Sequence, residues 1–277
     1  MRRVAIQGIR GSFHHIAACE YFVGEEVEPV CCDTFADVFE EMRHDSNMLG
    51  FMAIENTIAG SLLQNYELLR KSGTTVVGEH KLHIEHTLMC LPDDDWADIT
   101  EVNSHPVALM QCQEFLAGHP EMKVVEMYDT AGSAEIISRK GLRGHACICH
   151  HDAAAEYGMK VLQRAIEDNK HNFTRFLVLS DKWNADNMRN LRTTTKSSIV
   201  FSVSHTEGCL SQVLSVFSFY RINLTKIQSL PIIGREWEYL FYVDVVYDDY
   251  MRFTQSIDAV TPLVREIRIL GNYNGKN

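Results

Sequence analysis

The sequence predicts an α/β protein whose last eighty or so residues switch to a smaller ferredoxin-like module. Three observations predict this. Up to about residue 180, short apolar runs alternate with patterns of helical spacing, the rhythm of mostly parallel sheets flanked by helices. A polar stretch from Lys182 to Lys196, carrying three asparagines and a threonine triplet, then breaks that rhythm. Beyond it, apolar residues recur with period two, as on half-buried antiparallel strands.

Each element follows from its local pattern. Val4–Gln7 reads as a strand, turned by Gly8 and Gly11, and Ser12 caps a helix carrying Ile16, Ala17 and Tyr21. Leu49–Ile54 is a strand, followed by the helical stripe Leu62, Tyr66 and Leu69. Strands at Leu88–Leu91, Val124–Met127, Ala146–Cys149 and Phe176–Leu179 alternate with helices at Val107–Leu116, Ala131–Ser138 and His150–Tyr157. Residues 182–196 form a linker. After it, Ile199, Phe201 and Val203 mark a strand, and Leu210, Val213, Leu214 and Phe217 a helix. Strands follow at Asn223–Leu230 and at Tyr239, Phe241, Val243 and Val245. A helix at Phe253, Ile257 and Val260 and a strand at Ile267 and Ile269 complete a β-α-β-β-α-β order.

Composition narrows the function. The 277 residues are 45% hydrophobic and 23% charged, which excludes a disordered or collagen-like chain. The net charge of −11 argues against general attraction to nucleic acid or anionic lipid. The longest run free of Asp, Glu, Lys and Arg, Gly208 to Tyr220, falls short of the roughly 20 apolar residues of a membrane span. Arg2 and Arg3 are followed by Gln7, Gly8, Arg10 and Gly11 where a signal peptide needs an apolar core. A cytoplasmic location is expected, with no nucleic-acid or membrane partner. The eight cysteines then read as free thiols.

No nucleotide-binding, nucleophile-elbow or zinc-protease motif is present. Cys147, Cys149, His150, His151 and Asp152 offer zinc-ligand types, but the same residues fit a buried strand running into a helix; no metal is expected. The loops after strands carry neutral polar groups: Glu55-Asn56-Thr57, Asn103-Ser104-His105-Pro106 with Gln111 beyond, Thr130-Ala131-Gly132-Ser133, and Asn172-Phe173-Thr174-Arg175-Phe176 ahead of a strand. Ser, Thr and Asn are ordinary caps and turn residues. Four such loops around one sheet edge suggest a small anionic ligand, with Thr130 a candidate N-cap.

Five segments in order carry a resemblance. They are Gly8–Phe13 (GIRGSF), Glu55–Ser61 (ENTIAGS), Ser104–Cys112 (SHPVALMQC), Asp129–Ala134 (DTAGSA) and Asn172–Phe176 (NFTRF). Together they resemble the prephenate dehydratase family over nearly the whole chain. The tail is similar to an ACT regulatory domain, through Gly208-Cys209-Leu210, Ile222–Ile227 and Trp237-Glu238-Tyr239. The resemblance implies a catalytic region, residues 1–181, of two α/β lobes like type II periplasmic binding proteins, with substrate in the cleft. Residues 182–196 are the linker and 197–277 the ACT domain. With residue 4 already in the first strand, the chorismate mutase region of bifunctional relatives is expected to be absent.

The implied reaction converts prephenate to phenylpyruvate, water and carbon dioxide without cofactor. It implies catalytic roles for Thr174, Asn56, Ser104, Gln111 and Glu55. Gly11, Ser12, Phe13, Thr57, Gly60, Arg175 and Phe176 would contact substrate, with Thr130, Ala131, Gly132 and Ser133 holding a carboxylate through backbone N–H groups. Thr174 is expected to donate to the departing oxygen, Glu55 to orient others, and Arg175 either to pair with a substrate carboxylate or to brace its loop. Phenylalanine is the expected effector, bound through Gly208, Cys209, Leu210, Asn223, Leu224, Gln228 and Ser229, in a homodimer or homotetramer. Three departures stand out: His14 where relatives usually have Ser or Thr, Thr57 where Ser is common, and Gln228-Ser229-Leu230-Pro231 in place of Glu-Ser-Arg-Pro. Arogenate as substrate, and a catalytically silent amino-acid sensor, remain open alternatives.

Overall fold

A computed structural model describes residues 1–188 and 193–275. Among these residues, one sheet runs in the order Val27–Cys32, Arg2–Gln7, Leu49–Asn56, Phe173–Ser180, Thr75–His83, with the short Gly60–Ser61 strand paired to Leu49–Asn56. A second runs Lys160–Gln163, Thr87–Cys90, His145–Cys149, Glu101–Ser104, Lys123–Glu126. A third runs Asn223–Pro231, Tyr239–Val246, Lys196–Ser202, Glu266–Tyr273. Arg2–Gln7 pairs parallel to Val27–Cys32, and Glu101–Ser104 parallel to both its neighbours, as strand–helix alternation dictates. In the second sheet, Thr87–Cys90 is antiparallel to both its neighbours.

The chain divides into two compact units. The first comprises Met1–Glu41, Phe51–Gly60 and Lys81–Phe176. Its opening strand passes through two left-handed glycines, Gly8 and Gly11, into the helix Phe13–Tyr21. Gly11 is doubly constrained: a Cβ there would meet the Ala153 Cβ at 3.3 Å in a left-handed conformation that side chains rarely adopt. Ser12 caps this helix as expected, accepting from the His15 N–H at 3.4 Å.

Two expectations shift within this unit. The helix expected over Val107–Leu116 is broken into Pro106–Met110 and Gln113–Ala117. The Asp168 carboxylate accepts from the N–H groups of Gln113 and Glu114 at 3.0 and 3.1 Å and starts the second helix afresh. The strand expected from Phe176 begins at Phe173, because Thr57 and Phe173 exchange hydrogen bonds: Thr57 N–H to Phe173 O, and Phe173 N–H to Thr57 Oγ1, both 2.9 Å. Thr174 and Arg175 therefore sit on a strand rather than on the loop before it.

The second unit comprises Met42–Gly50, Ser61–His80 and residues from Leu177 onward. Where the linker was expected, Lys182–Met188 is helical and Lys196 opens a strand; residues 189–192 of that stretch lie outside the described residues. The third sheet, with helices Cys209–Phe219 and Tyr250–Val260, has the βαββαβ order, and its neighbouring strands are antiparallel. Ile199, Phe201, Val213, Phe217, Val243 and Phe253 close its core. The sheet is joined to Ser61–His80 by a buried ion pair, Lys196 Nζ to both Glu79 oxygens at 2.7 Å, and by Lys226 Nζ to Ser61 Oγ at 2.6 Å. Gly271 is obligatory at this junction, since a Cβ would lie 2.0 Å from the Val76 carbonyl oxygen. No helix among the described residues is long and apolar enough to cross a membrane.

Candidate functional site

The site lies within the first unit, where a chain of carboxamides links three distant segments. It starts from two backbone donors. The N–H groups of Ile58 and Ala59 point at Asn56 Oδ1, 2.9 and 2.8 Å away. With its oxygen so held, the Asn56 amide must present its NH2 outward. It donates to Asn172 Oδ1 at 2.8 Å and to Thr174 Oγ1 at 3.0 Å, with a longer 3.3 Å contact to Phe173 O. Asn172, completely buried, in turn donates from Nδ2 to Gln111 Oε1 at 2.9 Å. His86 Nε2 faces the same Gln111 oxygen at 2.8 Å.

Hydrogen-bond polarity follows without further assumption. A carboxamide oxygen only accepts and its nitrogen only donates. Thr174 Oγ1 accepts from Asn56, so its own proton is left to donate elsewhere. Gln111 Oε1 accepts from Asn172, so the Gln111 NH2 is turned the other way. Thr57 braces the arrangement, its hydroxyl donating to His171 O at 3.0 Å. Arg175, mostly buried, lies 3.9 Å from Glu55, a long ion pair joining the same two segments.

Other expected residues sit differently. Ser104 is fully buried and its hydroxyl donates to Ile148 O at 2.6 Å, in the second sheet. Phe176 is a core residue, 1% exposed and packed against His14 and Phe51; it is too enclosed for the ligand contact expected of it. Phe13 meets the rings of His86 and His150 edge-on, 5.6 and 5.8 Å between centroids. Gly11 gives its N–H to His15 Nδ1 at 3.1 Å. Gly60 is exposed and left-handed. His14, the unexpected residue of its motif, accepts the Ala53 N–H through Nε2 at 3.3 Å. Burial lowers its pKa to about 4, so the imidazole is neutral.

Asp129, not Thr130, caps the helix Thr130–Lys140. Its carboxylate accepts from the Gly132 N–H at 2.8 Å, while Ser133 Oγ donates to the Asp129 carbonyl at 2.8 Å. Two of the N–H groups expected to hold a substrate carboxylate are thus already engaged, since the Ser133 N–H also donates to the Asp129 carbonyl at 3.2 Å. Ala131 and Ser133 are fully buried, and burial raises the Asp129 carboxyl above its ordinary range. His86, Asn172 and Asp129 were absent from the sequence-based site. Asn172 and Asp129 stood inside recognised motifs, while His86 had no spacing signal.

Ligand atoms of His150, His151 and Asp152 lie within 4.8 Å of one another. The Arg164 guanidinium, 3.3 Å from His151 and bonded to Glu85, places a positive charge beside this group. Cys147 and Cys149 fill the core beside Met89. In the second unit, Gly208, Cys209 and Leu210 line a cavity of about 290 Å³ with Trp237, Tyr239 and Phe241. Hydrogen bonds from Ser204 and Thr206 lower the Cys209 pKa. Asn223, Leu224, Gln228 and Ser229 lie on the strand Asn223–Pro231 and do not line this cavity.

A family model described as prephenate dehydratase matches residues 4–184. An arogenate dehydratase/prephenate dehydratase of Arabidopsis thaliana is 33% identical, over 98% of this chain and 72% of its own. A structure titled as a novel type of quorum quenching acylase, GqqA, is 26% identical with a TM-score of 0.87, covering 99% of this chain and 98% of that one. A prephenate dehydratase from Arthrobacter aurescens, solved in complex with L-Phe, is 23% identical with a TM-score of 0.85, covering 99% and 90%.

Proposed function

The chain belongs to the prephenate dehydratase family, and on that premise we propose that it converts prephenate to phenylpyruvate, carbon dioxide and water. The bond from the ring to its carboxylate breaks, its electron pair enters the ring, and the ring hydroxyl leaves with the C–O pair. Aromatisation drives both cleavages, so the protein need only bind a dianion and stabilise the departing oxygen. One proton taken up by the leaving hydroxide completes the water.

The observation that carries this reading is the polarity at Thr174. Because Asn56 donates to its oxygen, the Thr174 proton is available to the leaving hydroxyl. A threonine hydroxyl is too weak an acid to transfer its proton early, so it acts by hydrogen bonding to developing charge. The Gln111 NH2, with its oxygen held by Asn172, offers a donor to a substrate carboxylate. Arg175 and Glu55 brace the strand carrying Thr174, and Ser104 positions the second sheet through Ile148. Gly11, Ser12, Thr57, Gly60 and the start of the Thr130–Lys140 helix complete the substrate surroundings.

An acyl-transfer reading, raised by the acylase among the structural neighbours, needs a hydroxyl deprotonated by a base. The bonded partner of Thr174 is a carboxamide, which takes up no proton, and this favours dehydration. Arogenate, which carries an amino group in place of the keto group, is the competing substrate. We read the βαββαβ module as an ACT domain within a cytoplasmic homo-oligomer. Phenylalanine would bind in the aromatic cavity at Gly208–Leu210, with Asn223, Leu224, Gln228 and Ser229 supplied by a facing copy. The test is ultraviolet detection of phenylpyruvate from prephenate beside phenylalanine from arogenate. Turnover of prephenate supports the reading, and inertness toward both substrates favours the sensor.

A further inference from the structure

We infer that His86 is a positioning residue: by donating from Nε2 to Gln111 Oε1 it fixes the Gln111 carboxamide with its NH2 toward the anionic substrate. This rests on the proposed dehydratase reading and deepens it. Against a dianion the two orientations of a glutamine amide are not equivalent. The NH2 attracts a carboxylate and the oxygen repels it, although the two ends have nearly the same shape.

Asn172, oriented by Asn56, supplies one donor to the Gln111 oxygen and leaves its second lone pair to be filled. His86 supplies a second donor from the other side, 2.8 Å from the same oxygen. An oxygen with both lone pairs engaged has no reason to turn outward. His86 is itself held firmly. Its N–H donates to Glu167 Oε2 at 2.8 Å, its carbonyl accepts from Ile166 N–H at 2.9 Å, and Phe13 packs edge-on to its ring. The residue is 2% exposed, and its Nδ1 makes no hydrogen bond. The imidazole has one proton to place, and Gln111 Oε1 is the acceptor that calls for it. Burial lowers the His86 pKa, which favours the neutral ring.

The same geometry makes the interaction separable from general packing. His86→Leu keeps an apolar side chain and removes the donor. His86→Gln places an amide nitrogen near the former Nε2 and restores it. The experiment measures kcat/KM for prephenate in His86→Leu, His86→Gln, Gln111→Ala and the His86→Leu/Gln111→Ala pair. The expected loss for His86→Leu is roughly tenfold, the scale of one hydrogen bond, with most of it regained in His86→Gln. In the Gln111→Ala background, His86→Leu should add less than about twofold, because the two residues act as one. Full wild-type turnover in His86→Leu, or losses that multiply in the pair, overturns the inference. The imidazole ¹⁵N spectrum of the unmodified protein gives a readout independent of turnover. A neutral His86 protonated at Nε2 supports the inference, and protonation at Nδ1 refutes it. An enzyme inert toward prephenate but with the Nε2-protonated ring would fail the dehydratase reading alone.

Discussion

Asn56 donates its side-chain N–H to Thr174 Oγ1 at 3.0 Å, across 118 positions of sequence. The direction of that bond matters more than its length. It originates in two backbone N–H groups that cannot reverse, those of Ile58 and Ala59, and passes through an amide to a hydroxyl. Orientation at the Thr174 hydroxyl is thereby set by main chain, the least adjustable part of the loop.

Asn56→Asp should therefore be worse than Asn56→Ala. A carboxylate still satisfies Ile58 and Ala59, but its second oxygen only accepts, so it captures the Thr174 proton and repels the substrate. The expected loss in kcat exceeds about 10²-fold, the scale of removing one donor to developing charge. Steady-state kinetics of both variants check this, and an Asn56→Asp enzyme faster than Asn56→Ala contradicts it.

His14 should make stability sensitive to acid. Its folded pKa of about 4 lies below the ordinary value near 6.5, so the unfolded chain takes up the proton first. The stability contributed by the neutral ring is fully present above pH 6.5 and is lost as pH falls toward 4, at most about 3 kcal/mol. His14→Gln keeps an acceptor for the Ala53 N–H and removes the titration. Urea unfolding should show the wild type losing more stability than the variant between pH 7 and 4; parallel losses contradict this.

Lys196→Met should destabilise the protein by about 3–5 kcal/mol, because Glu79 stays buried without its lysine. The double variant Lys196→Met/Glu79→Leu should recover much of that loss, since burying neither charge avoids the desolvation cost. Denaturant midpoints check both. A double variant as unstable as the single one contradicts the ion-pair account.

Much of the fold was legible wherever one face of an element is uniformly apolar. The strands Arg2–Gln7, Leu49–Asn56 and Tyr239–Val246 are of this kind, and so are the capped helices. Thr75–His83 was missed because its charged residues interrupt the pattern, and one of them, Glu79, is buried in an ion pair with Lys196. Val27–Cys32 was hidden by Glu28 and Pro29, and Glu101–Ser104 by its brevity. At the site, Asn56, Gln111 and Thr174 were readable from their motifs. His86 was not, because a lone histidine at the edge of an apolar run looks the same whether it is packing or aiming an amide. Asp129 and Thr130 are adjacent cap formers, and only the reach of the carboxylate to Gly132 separates them.

The central claim is that the Thr174 hydroxyl eases the departure of the substrate hydroxyl, and Thr174→Val tests it most directly, since the variant keeps the shape and removes the proton. Phenylpyruvate formation from prephenate should fall by about 10²-fold or more, while calorimetric affinity for a non-reacting substrate analogue stays within about threefold and Thr174→Ser regains part of the rate. A valine variant that turns over prephenate at close to the wild-type rate contradicts the account.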